Sequence, residues 1–475
     1  MNSVHHMQGI RLAGFSLFWT WLFLVAVSPS PVFGQLVTYG ELPFEIPEVG
    51  SRIVLLLCAL ALRRLFATKQ GALILAATCM VAGPLTTLTL SLGSTPYYVL
   101  IASILSAITD VSMFLIWLCY FGYSKIGETA LLLALSYAFG SMLCLASVGL
   151  GTPAMVVMAA AAPIASGLIL LFAMRSDRQK AQESLFAPTA LNANGEPMKA
   201  PVSVVRLSVA LALYGFVFAL FSARTASSEF AFSSGPLLQS ACNIAAAIVI
   251  VMVIRFSDKS RGLYGIYKVI PLLFTLGLAG FAILPSSAAF FAGAFVMLAY
   301  LLFEVLSLND YCNLVKTNDS SLLSSMAIVR LCASVGIFLG WFVDYLATHI
   351  ANGAFPPVIV AALGLVLVVI ASSLVFTDRF SNELRDIADS RALQETAESQ
   401  PSRAEQIDAY AQLHALSKRE TEVLKYLLAG RTTQYIASKL FIAESTARTH
   451  AHKIYAKTDT HDRMNLLDSF EKFRP

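Results

Sequence analysis

The sequence predicts an all-α protein, in which a twelve-helix transmembrane bundle of two six-helix halves precedes a small four-helix domain. The first observation is composition: 57% of the 475 residues are hydrophobic, 13% are charged and the mean hydropathy is +0.70. The second is charge distribution, because charged side chains make up roughly 30% of residues 377–475 and roughly 9% of the residues before them. This composition excludes collagen-like, disordered and disulfide-stapled secreted proteins. Most of the chain is therefore expected to lie in lipid, with a domain boundary near Thr377.

Apolar runs long enough to cross about 30 Å of hydrocarbon as helices recur as far as Phe376. A long polar segment from Arg175 to Ala200 separates six such runs from six more, which indicates a duplicated bundle. We assign residues 1–376 to a membrane domain with halves at about 10–174 and 205–376. The predicted spans are about 12–28, 46–62, 71–91, 98–120, 129–149, 154–174, 205–222, 235–254, 264–284, 288–308, 322–342 and 357–376.

The orientation follows from lysines and arginines, which are retained on the cytoplasmic side when they lie in short connections. With the N-terminus inside, the cytoplasmic segments hold fourteen of these residues and the opposite side holds only Arg52 and Arg224. An even number of spans then places both termini and the central loop in the cytoplasm. The first span also has features of a cleaved signal peptide, with small residues up to Gly34, but the downstream topology is the same under either interpretation.

This arrangement resembles the major facilitator superfamily. The resemblance covers about residues 10–376 and rests on the span count, the central cytoplasmic loop and the two cytoplasmic termini. That superfamily tends to carry an Asp-Arg-x-Gly-Arg-type loop between the second and third spans of each half. Here the second half has only Asp258-Lys259-Ser260-Arg261-Gly262, and the first half's loop from Arg63 to Gly71 contains no Asp. The membrane domain therefore lacks the loop motif that accompanies the transport cycle in the family.

Three charged residues stand out within the predicted spans: Asp110 in the fourth, Glu304 in the tenth and Arg330 in the eleventh. A charge at the centre of the hydrocarbon costs about 2.5–3.5 kcal/mol on insertion scales, so such residues usually face a cavity or a partner. The superfamily resemblance implies that the two carboxylates point into a central cavity. In one interpretation these residues form a ligand or switch site, where a polar or anionic ligand, or a proton, breaks an Arg330–Glu304 pair. In the other, that pair only locks two helices, and a hydroxyl or water holds Asp110.

The segment 377–413 is assigned to a cytoplasmic linker because its composition turns polar after Thr377. We expect a solvated helix that continues the last span and then a hinge around Pro401, since proline interrupts a helix.

Residues 414–475 carry the pattern of a compact helical domain. Ser417 and Glu420 form a capping box for a first helix, which Gly430 ends. Thr432 or Thr433 can cap a short second helix, a third is predicted over about 444–457, and a fourth over about 462–472. Two short helices joined by a tight turn, the second with a basic polar face, are typical of a helix-turn-helix.

This pattern resembles the LuxR-type DNA-binding domain over about 55 residues. The family begins Leu-Ser/Thr-x-Arg-Glu-x-Glu-Val-Leu, and Leu416 to Leu424 reproduce that run. In three places the sequence departs from the family: Ala443 replaces the usual capping Ser, Ala447 a packed Val, and Lys453 a common Asn. Further agreements at fixed spacing are Ile436-Ala437, Leu440-Phe441-Ile442, Thr446, His450, Ile454 and Lys457.

The resemblance implies which side chains of the third helix meet DNA. A helix fits the major groove, where Arg can read guanine O6 and N7. The base-reading positions are Arg448, Thr449 and His452, while the positions near phosphates are Lys453, Lys457 and Thr446. We expect a homodimer on double-stranded DNA, with the dimer contact on the fourth helix. The candidates shared between that contact and the core of the domain are Met464, Leu467 and Phe470.

Together these features indicate a membrane-bound one-component transcription regulator in the cytoplasmic membrane of a prokaryote, which senses an unknown small ligand through its membrane domain. A transporter with a regulatory DNA-binding domain and an inert membrane anchor for a DNA reader stay open. The sequence contains no phosphate loop, nucleophile elbow or metal-ligand cluster, so we expect no enzyme activity, cofactor or metal.

Overall fold

The chain forms two compact units, Met1–Asp389 and Ser390–Pro475. The structure, a computed structural model, describes residues 2–27, 32–33, 37–39, 42–66, 68–93, 95–121, 128–176, 202–226, 229–256, 259–285, 289–317, 322–349, 356–375 and 403–473. Most of the predicted central loop 175–204 and the predicted hinge at Pro401 lie outside these residues.

Long helices occupy the position of every predicted span, which confirms the all-α membrane bundle. Eleven helices in the described part of the chain are long and apolar enough to cross a membrane, and α2 is the remaining one. The helices are α1 Asn2–Trp21, continued by a π-helix Leu22–Val27, α2 Glu45–Ala61, α3 Lys69–Ser91, α4 Pro96–Phe121, α5 Glu128–Gly149, α6 Thr152–Ser176, α7 Val202–Ala226, α8 Glu229–Phe256, α9 Lys259–Ile283, α10 Ala289–Thr317, α11 Leu322–His349 and α12 Pro357–Val375.

Two small elements flank α2. The first is an antiparallel pair of strands before it, β1 Thr38–Tyr39 and β2 Leu42–Pro43, and the second is a helical turn after it, Arg63–Phe66. The sequence analysis predicted neither.

Helix α2 is shorter and more charged than a typical span. Its 17 residues carry Glu45, Glu48 and Arg52 in the N-terminal half. Glu48 is 1% exposed and Arg52 is 6% exposed, so these charges lie inside the protein. The lysine and arginine asymmetry places Arg52 on the non-cytoplasmic side of the membrane, and in the structure its side chain faces the interior of the bundle.

The two halves repeat one packing scheme, as the predicted duplication requires. In the first half α1 packs against α5 and α6, α3 against α4 and α6, and α2 against α4. In the second half α7 packs against α11 and α12, α9 against α10 and α12, and α8 against α10. The main contacts between the halves are α2 with α11 and α5 with α8, which are also equivalent pairs.

Small residues allow the closest of these helix contacts. On α11, a Cβ atom at Gly336 would overlap the carbonyl oxygen of Ala212 on α7, and one at Gly340 would lie 2.6 Å from the carbonyl oxygen of Phe216. The equivalent contact in the first half has Gly140 of α5, where a Cβ would lie 2.8 Å from the carbonyl oxygen of Ser16 on α1. Glycines four residues apart let two backbones approach, as in other membrane helix pairs.

The C-terminal unit has its own hydrophobic core, built from helices α13 Arg403–Leu413, α14 Lys418–Leu428, α15 Thr433–Leu440, α16 Glu444–Lys457 and α17 Arg463–Lys472. The predicted capping box is confirmed: Ser417 Oγ accepts from the Glu420 amide, and Glu420 Oε2 accepts from the Ser417 amide. Helix α14 ends before Gly430, whose φ of +79° favours glycine, and Thr432 caps α15. These local signals explain why the sequence folds here as predicted.

Helix α16 begins at a weak cap. Ala443 occupies the N-cap and makes no side-chain hydrogen bond to the first turn. Loss of a serine cap costs about 1 kcal/mol, so burial of Ala447, Ala451 and Ile454 must hold this helix in place.

Helix α13 lies within the segment that the sequence analysis assigned to the linker. Tyr410 is 1% exposed, and its ring lies 5.4 Å from that of Phe470 and 5.3 Å from that of Phe473. Its hydroxyl is 2.9 Å from Ser469 Oγ, and Gln406 Nε2 donates to the Phe473 carbonyl at 3.0 Å. Residues 403–413 are therefore part of the folded C-terminal domain.

The three candidate dimer residues of α17 differ in exposure. Phe470 is 4% exposed and belongs to the core, together with Leu466, which the sequence analysis did not name. Leu467 is partly buried, whereas Met464 is 68% exposed. Of the three predicted contacts, Met464 is the one whose side chain is mostly available at the surface of this unit.

Candidate functional sites

A chain of charged residues runs through the middle of the membrane domain. On α2, Arg52 Nη2 donates to both carboxylate oxygens of Glu48 at 2.7 Å. The Arg52 Nε atom lies 2.8 Å from Oδ2 of Asp110 on α4, which is fully buried. Asp110 thereby joins the charges of α2 to those of the second half.

Arg330 on α11 continues this chain. Its Nη2 atom donates to Asp110 Oδ1 at 2.8 Å, and its Nη1 atom donates to Glu304 Oε1 on α10 at the longer distance of 3.4 Å. Glu304 Oε2 also accepts from the Tyr137 hydroxyl of α5 at 3.0 Å. The guanidinium lies 4.4 Å from the centre of the Phe114 ring. We call the five charged residues Glu48, Arg52, Asp110, Arg330 and Glu304 the ion chain.

The ion chain connects the two halves at two points. Asp110 and Arg330 link α4 to α11, and Tyr137 and Glu304 link α5 to α10. The three residues selected from the sequence are therefore brought together. The expected Arg330–Glu304 pair is present, but the shorter bond of Arg330 goes to Asp110. Asp110 is held by two arginines, rather than by a hydroxyl or water as the helix-lock interpretation assumed.

Three members of this site were not predicted from the sequence. Glu48 and Arg52 lie near the start of a predicted span, where a charged residue is usually assigned to the membrane–water interface. Tyr137 carries no charge and so gave no signal. The signal that could have found the first two is their spacing, since residues i and i+4 of a helix share a face.

The proposed DNA-reading face is the exposed side of α16. Arg448, Thr449 and His452 are exposed, as are Thr446 and Lys453. Arg448 is 65% exposed and donates to Glu444 Oε1 at 2.9 Å. Such an exposed pair contributes at most about 1 kcal/mol, so the guanidinium can exchange this carboxylate for a base edge at little cost.

Lys457 has an intramolecular role that the sequence analysis did not foresee. Its Nζ atom donates to Glu420 Oε2 at 2.8 Å and to the Ala415 carbonyl at 3.0 Å. The lysine therefore ties the end of α16 to the capping box of α14. At its predicted place near a phosphate, this ammonium would have to serve a third partner with its remaining N–H donor.

The Glu420–Lys457 pair predicts an acid-labile domain. Hydrogen bonding to Lys457 lowers the pKa of Glu420 from 4.5 to about 2. Because the pKa is lower in the folded state, the stabilisation is complete above about pH 4.5 and is lost as the pH falls towards 2. We expect a loss of about 1–2 kcal/mol, allowing for solvent screening at the partly exposed lysine.

Urea denaturation of residues 390–475 at several pH values, followed by circular dichroism, measures this loss. Glu420→Gln is the matched control and should remove most of the pH dependence in that window. Identical pH profiles for the two proteins would contradict the assignment.

Comparison with known families agrees with the geometry of the C-terminal unit. Residues 414–470 match the family of bacterial regulatory proteins, luxR family (GerE). The uncharacterized transcriptional regulatory protein YxjL of Bacillus subtilis (strain 168) is 43% identical over 51 residues, which are 11% of this chain and 23% of that protein. The Fimbriae Z protein of Escherichia coli (strain K12) is 38% identical over 53 residues, 11% of this chain and 25% of that protein. The similarity thus spans about a quarter of these curated relatives.

Solved structures resemble the membrane domain in fold. The major facilitator superfamily proton:xylose symporter XylE has a TM-score of 0.53 at 14% identity, with 78% of this chain and 94% of that chain covered. A bacterial homologue of the iron transporter ferroportin gives 0.52 at 11% identity, covering 78% and 97%. The human organic anion transporter MFSD10 gives 0.52 at 13% identity, covering 77% and 99%. The protein therefore joins a membrane domain of the major facilitator fold to a domain that matches the luxR family.

Proposed function

We propose that this protein is a one-component transcription regulator that resides in the cytoplasmic membrane of a prokaryote. The membrane domain senses a small ligand, and the C-terminal domain binds DNA as a homodimer. The protein is not an enzyme in this proposal. The observation that carries it is the presence, in one chain, of a LuxR-type domain and of a bundle whose two halves are joined by a buried ion chain.

The ion chain supports a sensing role because it is a discrete set of bonds between two halves. Breaking the bonds at Asp110–Arg330 or Tyr137–Glu304 would change how the halves pack. A ligand shifts such an equilibrium only if it binds one arrangement more tightly than the other. A site at the contact between the halves meets this requirement, since its shape depends on their arrangement.

We predict that Arg448→Ala weakens binding to one operator position by about 1–3 kcal/mol, because a bidentate contact to guanine is lost. Arg448→Lys is the matched variant: it keeps the charge, so non-specific affinity should persist while base preference is lost. Lys453→Ala should weaken binding to all sequences alike and reduce the salt dependence. Footprinting and salt titrations with the full-length protein measure these effects, and unchanged affinity and preference in Arg448→Ala would refute the assignment.

A cytoplasmic location of both termini and of the central loop is a separate prediction, supported by the asymmetry of lysines and arginines. Reporter fusions at Ala190 and after Pro475 should both give a cytoplasmic signal. A periplasmic signal from either fusion would show that the number of spans before it is wrong.

A transporter that also regulates genes is the second candidate, and the fold shared with XylE and the ferroportin homologue favours it. Substrate flux into vesicles distinguishes it from a sensor. An inert anchor is distinguished by normal inducibility after Asp110, Glu304 and Arg330 have all been neutralised.

A further inference from the structure

The ion chain is not electrically balanced. Its three carboxylates, Glu48, Asp110 and Glu304, face two guanidinium groups, Arg52 and Arg330, so the formal charge is −1. All five side chains are at most 10% exposed. An uncompensated buried charge is costly, and proteins usually neutralise it with a partner. The site therefore favours an additional positive charge.

The excess negative charge lies at the Glu304 end. Glu48 accepts two bonds of 2.7 Å from Arg52, and Asp110 lies 2.8 Å from both arginines. Among the described residues, Glu304 contacts one arginine, at 3.4 Å, and the neutral phenol of Tyr137 donates to it. Without Glu304 the chain would be neutral, with two carboxylates and two guanidinium groups.

Buried hydroxyls without a partner lie beside the ion chain. Ser106, Tyr300 and Ser334 are 0%, 4% and 0% exposed, and their oxygen atoms form no hydrogen bond within the described part of the chain. Each lies four residues from a charged member on the same helix: Ser106 before Asp110, Tyr300 before Glu304 and Ser334 after Arg330. Residues at this spacing share one face of a helix, so the hydroxyls are on the charged faces of α4, α10 and α11.

Aromatic rings complete the surroundings of Glu304. Tyr137, which donates to Glu304, lies 3.8 Å from the Trp19 ring of α1. Tyr300 stacks on Phe218 of α7 at 4.5 Å. Aromatic faces attract cations, particularly in sites without water. An acidic group, unpaired hydroxyl oxygens and aromatic rings together suit an organic cation that carries N–H donors.

We propose that the Glu304 end of the ion chain is a binding site for one small organic ammonium ion, a protonated amine. Its charge pairs with Glu304, and its N–H groups donate to the hydroxyl oxygens of Tyr300 and Ser334. An anion would add to the existing negative charge. A proton on Glu304 would neutralise the site but leave the hydroxyls unpaired. The role of this ligand as the regulatory input rests on the proposed function, whereas its binding to the site does not.

Calorimetric titration of the purified full-length protein in detergent tests the site with phenethylamine and butylamine, which are both cations at neutral pH. Phenethyl alcohol and phenylacetate are the neutral and anionic counterparts. We expect saturable binding of the two amines and none of the counterparts. Glu304→Gln should weaken amine binding about a hundredfold, because a buried charge pair is lost.

The variant Tyr300→Phe tests whether the Tyr300 hydroxyl contacts the ligand or only supports the structure. The ring remains on Phe218, and the hydroxyl has no hydrogen-bond partner among the residues that the structure describes, so the melting temperature should not fall. Amine affinity should drop about tenfold. A structural role would instead lower the melting temperature and leave the affinity unchanged.

Three results would overturn the proposal: no binding of either amine, tighter binding of phenylacetate, or unchanged affinity in both Glu304→Gln and Tyr300→Phe. A heat of protonation on acidification that Glu304→Gln abolishes, without amine binding, would assign the site to a proton. Amine binding without any change in reporter output would leave the site intact and count against the sensing function alone.

Discussion

Arg330→Gln is expected to lower the free energy of unfolding of the membrane domain by about 3–5 kcal/mol. The change removes the group that bonds both Asp110 and Glu304, and it leaves three carboxylates with one arginine. The formal charge of the buried chain then goes from −1 to −2. The measurement is the thermal denaturation midpoint in detergent, together with the amount of protein inserted in membranes.

The same reasoning predicts an order among related variants. Arg330→Gln combined with Asp110→Asn returns the formal charge to −1 and should recover part of the lost stability. Glu304→Gln brings the charge to zero and should be close to neutral for folding. Arg224→Gln is the matched control, because Arg224 is 22% exposed and lies 3.6 Å from Asp344, so about 0–1 kcal/mol is expected. Equal losses in the Arg330 and Arg224 variants would show that the ion chain contributes nothing beyond an ordinary pair.

The stability series also separates the two interpretations that the sequence left open. If the ion chain only locks helices, Arg330→Gln lowers the stability while the output of the surviving protein stays inducible. If it is a switch, Glu304→Gln changes the output without a loss of stability, since Tyr137 retains an acceptor in the glutamine side chain. Reporter output and melting must therefore be measured on the same variants.

The parts of the fold that sequence predicted well are those set by local signals. A run of apolar residues specifies a membrane helix without reference to its neighbours, and the capping box of Ser417 and Glu420 lies within one turn. The role of the charges on helix α2 was not predicted, because tertiary contacts compensate them. From the sequence alone Arg52 is assigned to the membrane–water interface, and only the structure places Asp110 beside it. Such a pairing joins residues 58 positions apart and has no local pattern.

The same limit explains why α13 was assigned to the linker and why the bond of Lys457 to Glu420 was not predicted. Tyr410 and Ile407 are too sparse to mark an amphipathic helix in a polar segment, and the ring of Tyr410 packs against Phe470 and Phe473, near the end of the domain's sequence. Family resemblance places Lys457 near DNA, but its 2.8 Å bond to Glu420 depends on how α16 packs on α14. Contacts between helices decide these roles, and such contacts were not predictable from spacing alone.

Gly336→Ala is expected to destabilise the membrane domain by about 3 kcal/mol, towards the upper end of the range for overpacked cores. The added methyl group would overlap the Ala212 carbonyl oxygen, which is backbone and cannot move without the whole of α7. Helices α7 and α11 must then separate along their contact, and Arg330 lies on the same helix α11. We therefore expect a lower melting temperature and weaker coupling between the ion chain and the output.

Gly265→Ala is the control for the Gly336 variant, since a Cβ atom at Gly265 on α9 has no neighbour within 4 Å. Replacing a helical glycine at an open position favours the helix by about 0.5–1 kcal/mol, so this change should be neutral or stabilising. The two substitutions add the same methyl group to helices of one domain, and only the space around them differs. A melting temperature of Gly336→Ala equal to that of Gly265→Ala would mean that α7 and α11 are not in close contact at Gly336.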